Sequence, residues 1–191
     1  MPRITAATVA EHREQRRDAL LDAAAQVLRE RGDVTVGAVA ARAGISRTAV
    51  YEYYNSAADL IADVLVDELA MWIDHLESAV ADIEDPAVRL RTWIATALSY
   101  VADGRHSLVR AAGRSDLPPV RRAQVQDLHR RLAGSVYVAL RELGADDPER
   151  TASYIWSVTE AATRHIEAGR DADEEIAAAI RFALAGIATT R

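Results

Sequence analysis

The sequence predicts an all-α protein, and three observations carry this prediction. Half of the 191 residues are apolar but only 5% are aromatic, so Ala and Leu supply most apolar side chains, as in helical proteins. Apolar residues recur at spacings of three and four in successive segments. Nine Gly and five Pro leave few helix breakers. We expect about nine helices.

The stretch from Thr35 to Tyr54 predicts two short helices joined by a turn. Thr35 is a suitable N-cap for the first helix, and Gly44 stands where helices often end in a left-handed residue. Ser46 can cap the second helix. Polar hydrogen-bonding groups form the outer side of the second helix: Arg47, Thr48, Tyr51, Glu52 and Tyr53. This order is that of a helix-turn-helix, although an ordinary helical hairpin has the same pattern.

Several spaced elements around this stretch agree with one another. They are the L-x-x-A-A of the first helix, which ends in Arg31-Gly32, the Thr-Val before the second helix, A-x-x-A-G-I-S-x-x-x-V-Y, and the Tyr-Tyr-Asn-Ser entry into the fourth helix. From Leu20 to Leu65 the chain therefore resembles the N-terminal DNA-binding domain of TetR-type transcriptional regulators. The resemblance covers roughly the first third of the chain. It implies a homodimer that binds an operator in double-stranded DNA and responds to a small-molecule effector.

The candidate DNA-binding residues are Thr35, Ser46, Arg47, Thr48, Tyr51 and Tyr53. Arg47 is the first choice for a base contact, because a guanidinium can bond guanine O6 and N7 together. Thr48 and Tyr53 are second choices, and Tyr51 is expected to hold a phosphate. The resemblance also makes the N-terminal end of the first helix a source of phosphate contacts, with candidates Arg13, Arg16 and Arg17. Residues 1–10 predict a flexible arm.

Three positions depart from the family pattern. Ala57 stands where many members carry a Lys that holds a DNA phosphate, so this contact is missing. Gly37 replaces a polar or basic side chain near the start of the second helix. Glu52 could accept a hydrogen bond from a cytosine amino group, but we expect it to be solvated.

Charge and composition separate two predicted domains, residues 1–55 and 56–191. The first holds eight Arg against seven acids, a net charge of +1, whereas the second holds fifteen Arg against twenty-two acids, a net charge of −7.

The absence of Cys excludes disulfides and thiolate chemistry. No two of the five His stand three or four residues apart, so neither a metal site nor a cofactor is expected. No run has the length of a signal peptide or a membrane span, which favours a cytoplasmic protein.

The second domain predicts six further helices. Ser56 and Asp59 form a capping pair for helix four, which should extend until Asp85-Pro86. Pro86 opens helix five. The remaining segments are a short helix over 107–112, the longest interior loop over 113–122, helix seven up to Gly144, helix eight over 148–169 and helix nine over 173–188.

Aromatic and polar-tipped residues among the aliphatic ones are typical of a small-molecule cavity, although an ordinary core contains them too. The candidate effector-binding residues are Trp72, His75, Trp93, Tyr100, His106, Arg110, Tyr137 and Trp156, with His129 and Tyr154 as further members of this group. Arg110 would indicate an anionic effector if it is buried.

The last two helices have wide apolar faces, which predict a dimer interface or burial within the subunit. The candidate dimerisation residues are Ile155, Thr159, Ala162, Ile166, Ile180, Ala183, Leu184 and Ile187.

Two alternative functions remain open. A DNA-binding dimer without an effector would have a cavity too small for a ligand, and a helical enzyme would place His75, His106 or His129 beside an acid.

Overall fold

The computed structural model describes residues 9–31, 33–113 and 117–188. Within these ranges the regular elements are nine α-helices, which confirms the predicted all-α fold. They are α1 (Val9–Arg31), α2 (Val36–Ala43), α3 (Arg47–Tyr51), α4 (Ala57–Val80), α5 (Pro86–Ala102), α6 (His106–Gly113), α7 (Pro119–Glu142), α8 (Pro148–Glu167) and α9 (Ala172–Ala188). Residues 1–8 of the predicted arm, Gly32 and residues 114–116 lie outside the described ranges.

Side-chain caps determine where several helices begin. The hydroxyl of Ser56 accepts from the backbone N–H of Asp59 at 3.1 Å and donates to the Asp59 carboxylate at 3.0 Å, which confirms the predicted capping pair. Asp85 caps α5 and Asp147 caps α8, each followed by Pro at the first helical position.

Three predicted boundaries were wrong. Helix α3 ends at Tyr51, so Tyr54 follows the helix in a turn. Helix α4 ends at Val80, because the Ile83 N–H bonds the Val80 carbonyl and Asp85 is used as the cap of α5. The predicted 113–122 loop is shorter, since α7 already begins at Pro119.

The chain forms two compact units. Unit 1 comprises the chain up to Asp67 together with Leu108–Ala123, and unit 2 comprises Glu68–Ser107 and Gln124–Arg191. The predicted division at residue 55 therefore differs from the packing of the chain. A segment far along the sequence, Leu108–Ala123, is part of the same compact unit as the helix-turn-helix.

Each unit has its own apolar core. In unit 1, α1 packs on α2 and α2 on α3, around fully buried side chains that include Leu20, Val39, Val50 and Leu60. In unit 2, α5 packs on α8 and α9, and α8 packs on α9. Among the described residues, no helix combines the length and hydropathy that a membrane span needs.

Candidate DNA-binding surface and effector pocket

The helix-turn-helix has the local geometry that its sequence predicts. Thr35 accepts from the Ala38 N–H at 3.2 Å and Ser46 from the Ala49 N–H at 3.1 Å, so both hydroxyls cap their helices. Between the two helices, Gly44 has φ of 68°, the left-handed conformation that Gly adopts without a Cβ clash. These caps set the direction in which α3 leaves the turn.

The second helix has one buried side and one exposed side. Val50 is fully buried, whereas Arg47, Thr48 and Glu52 are exposed and Tyr51 is half exposed. The predicted base and phosphate contacts are therefore accessible on one surface. Glu52 is exposed, in agreement with the expectation that it is solvated.

Helix α2 is attached to α1 through Arg42. Its guanidinium donates to the Gln26 amide oxygen at 3.0 Å and to both carboxylate oxygens of Glu30. The hydrogen bond from Arg42 lowers the pKa of the Glu30 carboxyl. This arrangement holds the outer face of α2 to the C-terminal half of α1.

The N-terminal end of α1 lies beside the end of the recognition helix. His12, Arg13, Arg16, Glu52 and Tyr53 line a depression of about 440 Å³. The Arg13 guanidinium lies over the Tyr53 ring, 5.7 Å from its centroid, within the range of a cation–π contact. Two of the three arginines predicted as phosphate contacts thus share this depression with Tyr53.

Arg17, the third predicted phosphate contact, has a different environment. Its Nη2 lies 2.9 Å from Oδ2 of Asp63, a carboxylate on α4 that is 4% exposed. This ion pair engages the guanidinium within unit 1. Arg17 therefore already has an acidic partner within unit 1, and its contact with a DNA phosphate stays a prediction.

Gly37 and Ala57, the two small residues that depart from the family pattern, lie near the start of α2 and at the start of α4. A Cβ on Gly37 would lie 3.9 Å from Cδ of Arg47, an ordinary van der Waals distance. Gly37 therefore borders the side chain that we predict to read a base. Ala57 is the first residue of α4 and supplies no cation there.

Three predicted effector-binding residues come together in one pocket of unit 2. Trp93 of α5, Tyr137 of α7 and Trp156 of α8 line a pocket of about 320 Å³. The two indole rings lie 6.4 Å apart. The other lining residues are small or aliphatic and include two serines: Ala133, Val136, Ala152, Ser153, Ile155 and Ser157. Among the described residues that line this pocket, none has a charged side chain.

Three further candidates form a separate cluster in unit 2. Trp72 stacks on Tyr100 with ring centroids 5.3 Å apart, and its ring meets the edge of His106 at 6.0 Å. His106 Nδ1 lies 3.0 Å from a carboxylate oxygen of Glu167, and the Tyr100 hydroxyl donates to Glu68 at 3.2 Å. The polar groups of His106 and Tyr100 are thus paired with acids of the same unit.

The other candidates lie apart from both groups. His75 and Arg110 are exposed, so Arg110 gives no indication of an anionic effector. His129 is exposed and bonds the Val125 carbonyl of its own helix. The His106–Glu167 pair meets the geometric criterion for an enzyme site, but among the described residues no group of three His or acidic side chains could hold a metal ion.

The predicted dimerisation residues divide into two sets. Ile155, Ala162, Ala183 and Ile187 are buried within the subunit, and Thr159, Ile166, Ile180 and Leu184 are partly buried. Besides Trp156 at 37%, the large apolar side chains exposed on these helices are Tyr154 at 62% and Phe182 at 67%. Both line a groove of about 450 Å³ between α8 and α9. Because the first set is already buried within its own subunit, it offers little surface to a partner. The exposed rings in this groove are therefore the better candidates for a dimer interface.

Four residues with distinct positions are not among the predicted site residues: Asp63, Arg121, Phe182 and Arg105. Asp63 could have been noticed as the single acid within the apolar run Leu60–Val66. Phe182 is the one Phe of the chain. Arg121 contacts Asp63, and Arg105 lies over the Tyr100 ring, and no local pattern predicts either contact.

Comparison with known proteins agrees with this geometry. The family profile described as "Bacterial regulatory proteins, tetR family" matches residues 20–64. An uncharacterized HTH-type transcriptional regulator of Mycobacterium tuberculosis strain H37Rv is 29% identical over 170 residues, which cover 86% of this chain and 82% of the relative.

Solved structures have the same fold. The TetR-like transcriptional regulator of Rhodococcus sp. RHA1 superposes with a TM-score of 0.74 at 24% identity, covering 96% of this chain and 99% of that one. The transcriptional regulator FadR of Bacillus subtilis, solved in complex with stearoyl-CoA, has a TM-score of 0.74 at 16% identity and covers 88% and 98%.

The helix-turn-helix surface and these matches define an HTH-type transcriptional regulator. Residues 20–64 are a DNA-binding domain of the TetR type, and the chain as a whole is similar to HTH-type transcriptional regulators.

Proposed function

We propose that the protein is a ligand-responsive repressor that binds a pseudo-palindromic operator as a homodimer in the cytoplasm. The observation that carries this proposal is the surface shared by α1 and α3. Arg13 and Arg16 supply positive charge beside Tyr53, while Arg47 and Thr48 are exposed on the recognition helix. Cationic groups next to exposed hydrogen-bonding groups suit phosphate positioning and base reading, respectively.

The groove between α8 and α9 supports the homodimer. Tyr154 and Phe182 expose large apolar rings on adjacent helices. Covering such rings with a partner lowers the free energy, because apolar surface is removed from water. A symmetry mate is the expected partner, because two recognition helices must read two half-sites of an operator.

The effector is proposed to be an uncharged, largely aromatic molecule bound between Trp93, Tyr137 and Trp156. Their pocket of about 320 Å³ has the size of a small ligand site. Two tryptophans offer flat apolar contacts, and Tyr137 offers a hydroxyl. The hydroxyls of Ser153 and Ser157 donate to backbone carbonyls of their own helix, so they offer hydrogen-bond acceptors. The stearoyl-CoA of the B. subtilis structure carries several phosphates, and this lining has no cation for them.

Release of the operator would follow from a change in the spacing of the two recognition helices. The effector must bind the state with the wrong spacing more tightly than the DNA-binding state. Helix α4 is a continuous helix that starts in unit 1 and ends in unit 2, so it is the proposed lever.

The proposal is tested by binding of the purified protein to the DNA flanking its own gene, across a salt series, with unrelated DNA as competitor. Specific retention and a steep loss of affinity with salt would support operator binding through phosphate contacts. Equal, weak binding to both DNAs would contradict an operator at that position.

The second candidate function is a DNA-binding dimer that lacks an effector. A pocket of about 320 Å³ disfavours it, since a small ligand can be admitted. It would be supported if pocket-lining substitutions changed neither ligand binding nor operator release.

A further inference from the structure

Asp63 has two guanidinium partners from distant parts of the chain. Its Oδ2 lies 2.9 Å from Nη2 of Arg17 on α1, and its Oδ1 lies 2.8 Å from Nη2 of Arg121 in the first turn of α7. The carboxylate is 4% exposed, and it is the one polar or charged residue classed as buried among the described part of the chain. All three residues belong to unit 1.

A buried carboxylate has few alternatives to such partners. Removal from water is unfavourable for a charged group, and paired guanidinium groups offset that cost. Each oxygen of Asp63 is used by one arginine. Displacement of Arg121 would therefore leave one buried carboxylate oxygen without its guanidinium partner. Arg17 would then be the remaining guanidinium partner of Asp63, and the position of its side chain would change.

Tyr54 follows the recognition helix, and its buried hydroxyl has no hydrogen-bond partner among the described residues. Its side chain is buried, and its backbone N–H bonds the Val50 carbonyl of α3. Burial raises the pKa of the Tyr54 hydroxyl to about 12, and the charge of Asp63 acts in the same direction. The phenol is thus neutral and close to the ion cluster.

We propose that Asp63 is a positioning residue that couples the segment Leu108–Ala123 to the DNA-contacting end of α1 through the bridge Arg121–Asp63–Arg17. The segment lies between helices of unit 2 in the sequence but packs within unit 1. A displacement of this segment would shift Arg121 away from Asp63, and through Arg17 it would change the orientation of the helix that carries Arg13 and Arg16. The inference rests on the proposed function, since it describes how that site is regulated.

The test compares Arg121→Gln with Arg122→Gln. Arg122 is the next residue, is exposed and bonds the Leu117 carbonyl, so its replacement removes the same charge without touching Asp63. Far-UV circular dichroism and thermal unfolding first establish that each variant is folded. Amide hydrogen exchange of α1 is then measured by mass spectrometry, and affinity for the flanking DNA is measured in parallel.

We expect Arg121→Gln to speed amide exchange in α1 and to change the operator dissociation constant by at least about fivefold, the lower end of allosteric couplings. Arg121→Lys should restore both readouts in part. In an Asp63→Asn background, Arg121→Gln should have no further effect, because the bridge is already broken.

The proposal is overturned if Arg121→Gln and Arg122→Gln change exchange and affinity equally, or if the effects of Asp63→Asn and Arg121→Gln are additive. Hydrogen exchange needs no DNA. A wild-type protein that fails to bind the flanking DNA specifically would therefore contradict the proposed function, while the exchange of α1 would still decide the coupling.

Discussion

The guanidinium of Arg13 lies over the ring of Tyr53, 5.7 Å from its centroid. The contact joins the N-terminal end of α1 to the residue that follows the recognition helix by two positions. The contact holds the Tyr53 ring beside Arg13, whose charge is proposed to lie near a DNA phosphate.

Arg13→Ala should weaken operator binding and lower the slope of log affinity against log salt by about one, as expected for the loss of one phosphate contact. Arg13→Lys should keep the slope but lose affinity, because an ammonium cannot stack as a planar guanidinium does. Fluorescence anisotropy over a salt series measures both. Arg91→Ala, at an exposed position of α5, is the control for charge alone. An equal effect of Arg91→Ala would show that Arg13 makes no phosphate contact.

Arg47→Ala should cost about 1–3 kcal/mol in operator affinity and relax the base preference at one position of each half-site. The reason is that a guanidinium can bond two acceptors of one guanine. Affinities for a panel of operators with single base changes measure this. Arg47→Lys, which keeps the charge, is the control. A loss that is uniform over all sequences would indicate a phosphate contact and contradict base reading.

Gly37→Ala and Gly44→Ala should have opposite effects on stability. A Cβ on Gly37 lies no closer than 3.9 Å to any other side chain, so Ala should raise the free energy of unfolding by up to about 1 kcal/mol through the lower entropy of the unfolded chain. Gly44 has φ of +68°, where Ala costs about 1–2 kcal/mol.

Thermal and urea unfolding of both variants measure this difference. If Gly44→Ala were neutral, the turn would not require a left-handed residue. Operator affinity of Gly37→Ala also tests whether the space beside Arg47 is needed for base reading.

Local features could be predicted from the sequence, but contacts between distant segments could not. The caps Thr35, Ser46 and Ser56 and the turn at Gly44 depend on neighbouring residues, and the structure confirms them. The arginine partners of Asp63 could not be predicted in this way, because helical periodicity shows which face of a helix is apolar but not which helix lies opposite. For this reason Arg121 and the packing of its segment within unit 1 could not be found.

The same limit applies to the candidate sites of unit 2. The sequence shows Trp72, Trp93 and Trp156 as aromatic residues among aliphatic ones. It does not show that Trp93 and Trp156 share a pocket while Trp72 stacks on Tyr100. On α8 and α9, apolar spacing selected the side that packs within the subunit, since core and interface residues are chemically alike. The exposed Phe182 interrupts that pattern, and only the packing shows its position.

A neutral aromatic probe, 1-naphthol, should bind the pocket between Trp93 and Trp156 and change tryptophan fluorescence. The measurement is made in a Trp72→Phe background, because the two remaining Trp of the three in the chain both line this pocket. Ala133→Leu, which fills part of the pocket, should weaken binding. Equal binding to Ala133→Leu, or tighter binding of anionic 1-naphthoate, would contradict an uncharged effector at this site.

Tyr154→Glu and Phe182→Glu should convert the dimer to a monomer. The two rings are 62% and 67% exposed and line one groove between α8 and α9, where a symmetry mate would desolvate the new carboxylates. Sedimentation over a range of concentrations measures the monomer–dimer equilibrium. Val138→Glu, at a 48% exposed position on α7, adds the same charge outside the groove and should leave the dimer intact.

Operator affinity gives a second measurement of the same interface. A dimer holds its second recognition helix at a high effective concentration near the second half-site, so a monomeric variant should lose about 10²-fold or more in apparent affinity for the full operator. Its affinity for a single half-site should be unchanged, because the α1 and α3 surface lies in unit 1. If Phe182→Glu remained a dimer at low concentration, or if Val138→Glu dissociated to the same extent, the interface would have to lie on another face of unit 2.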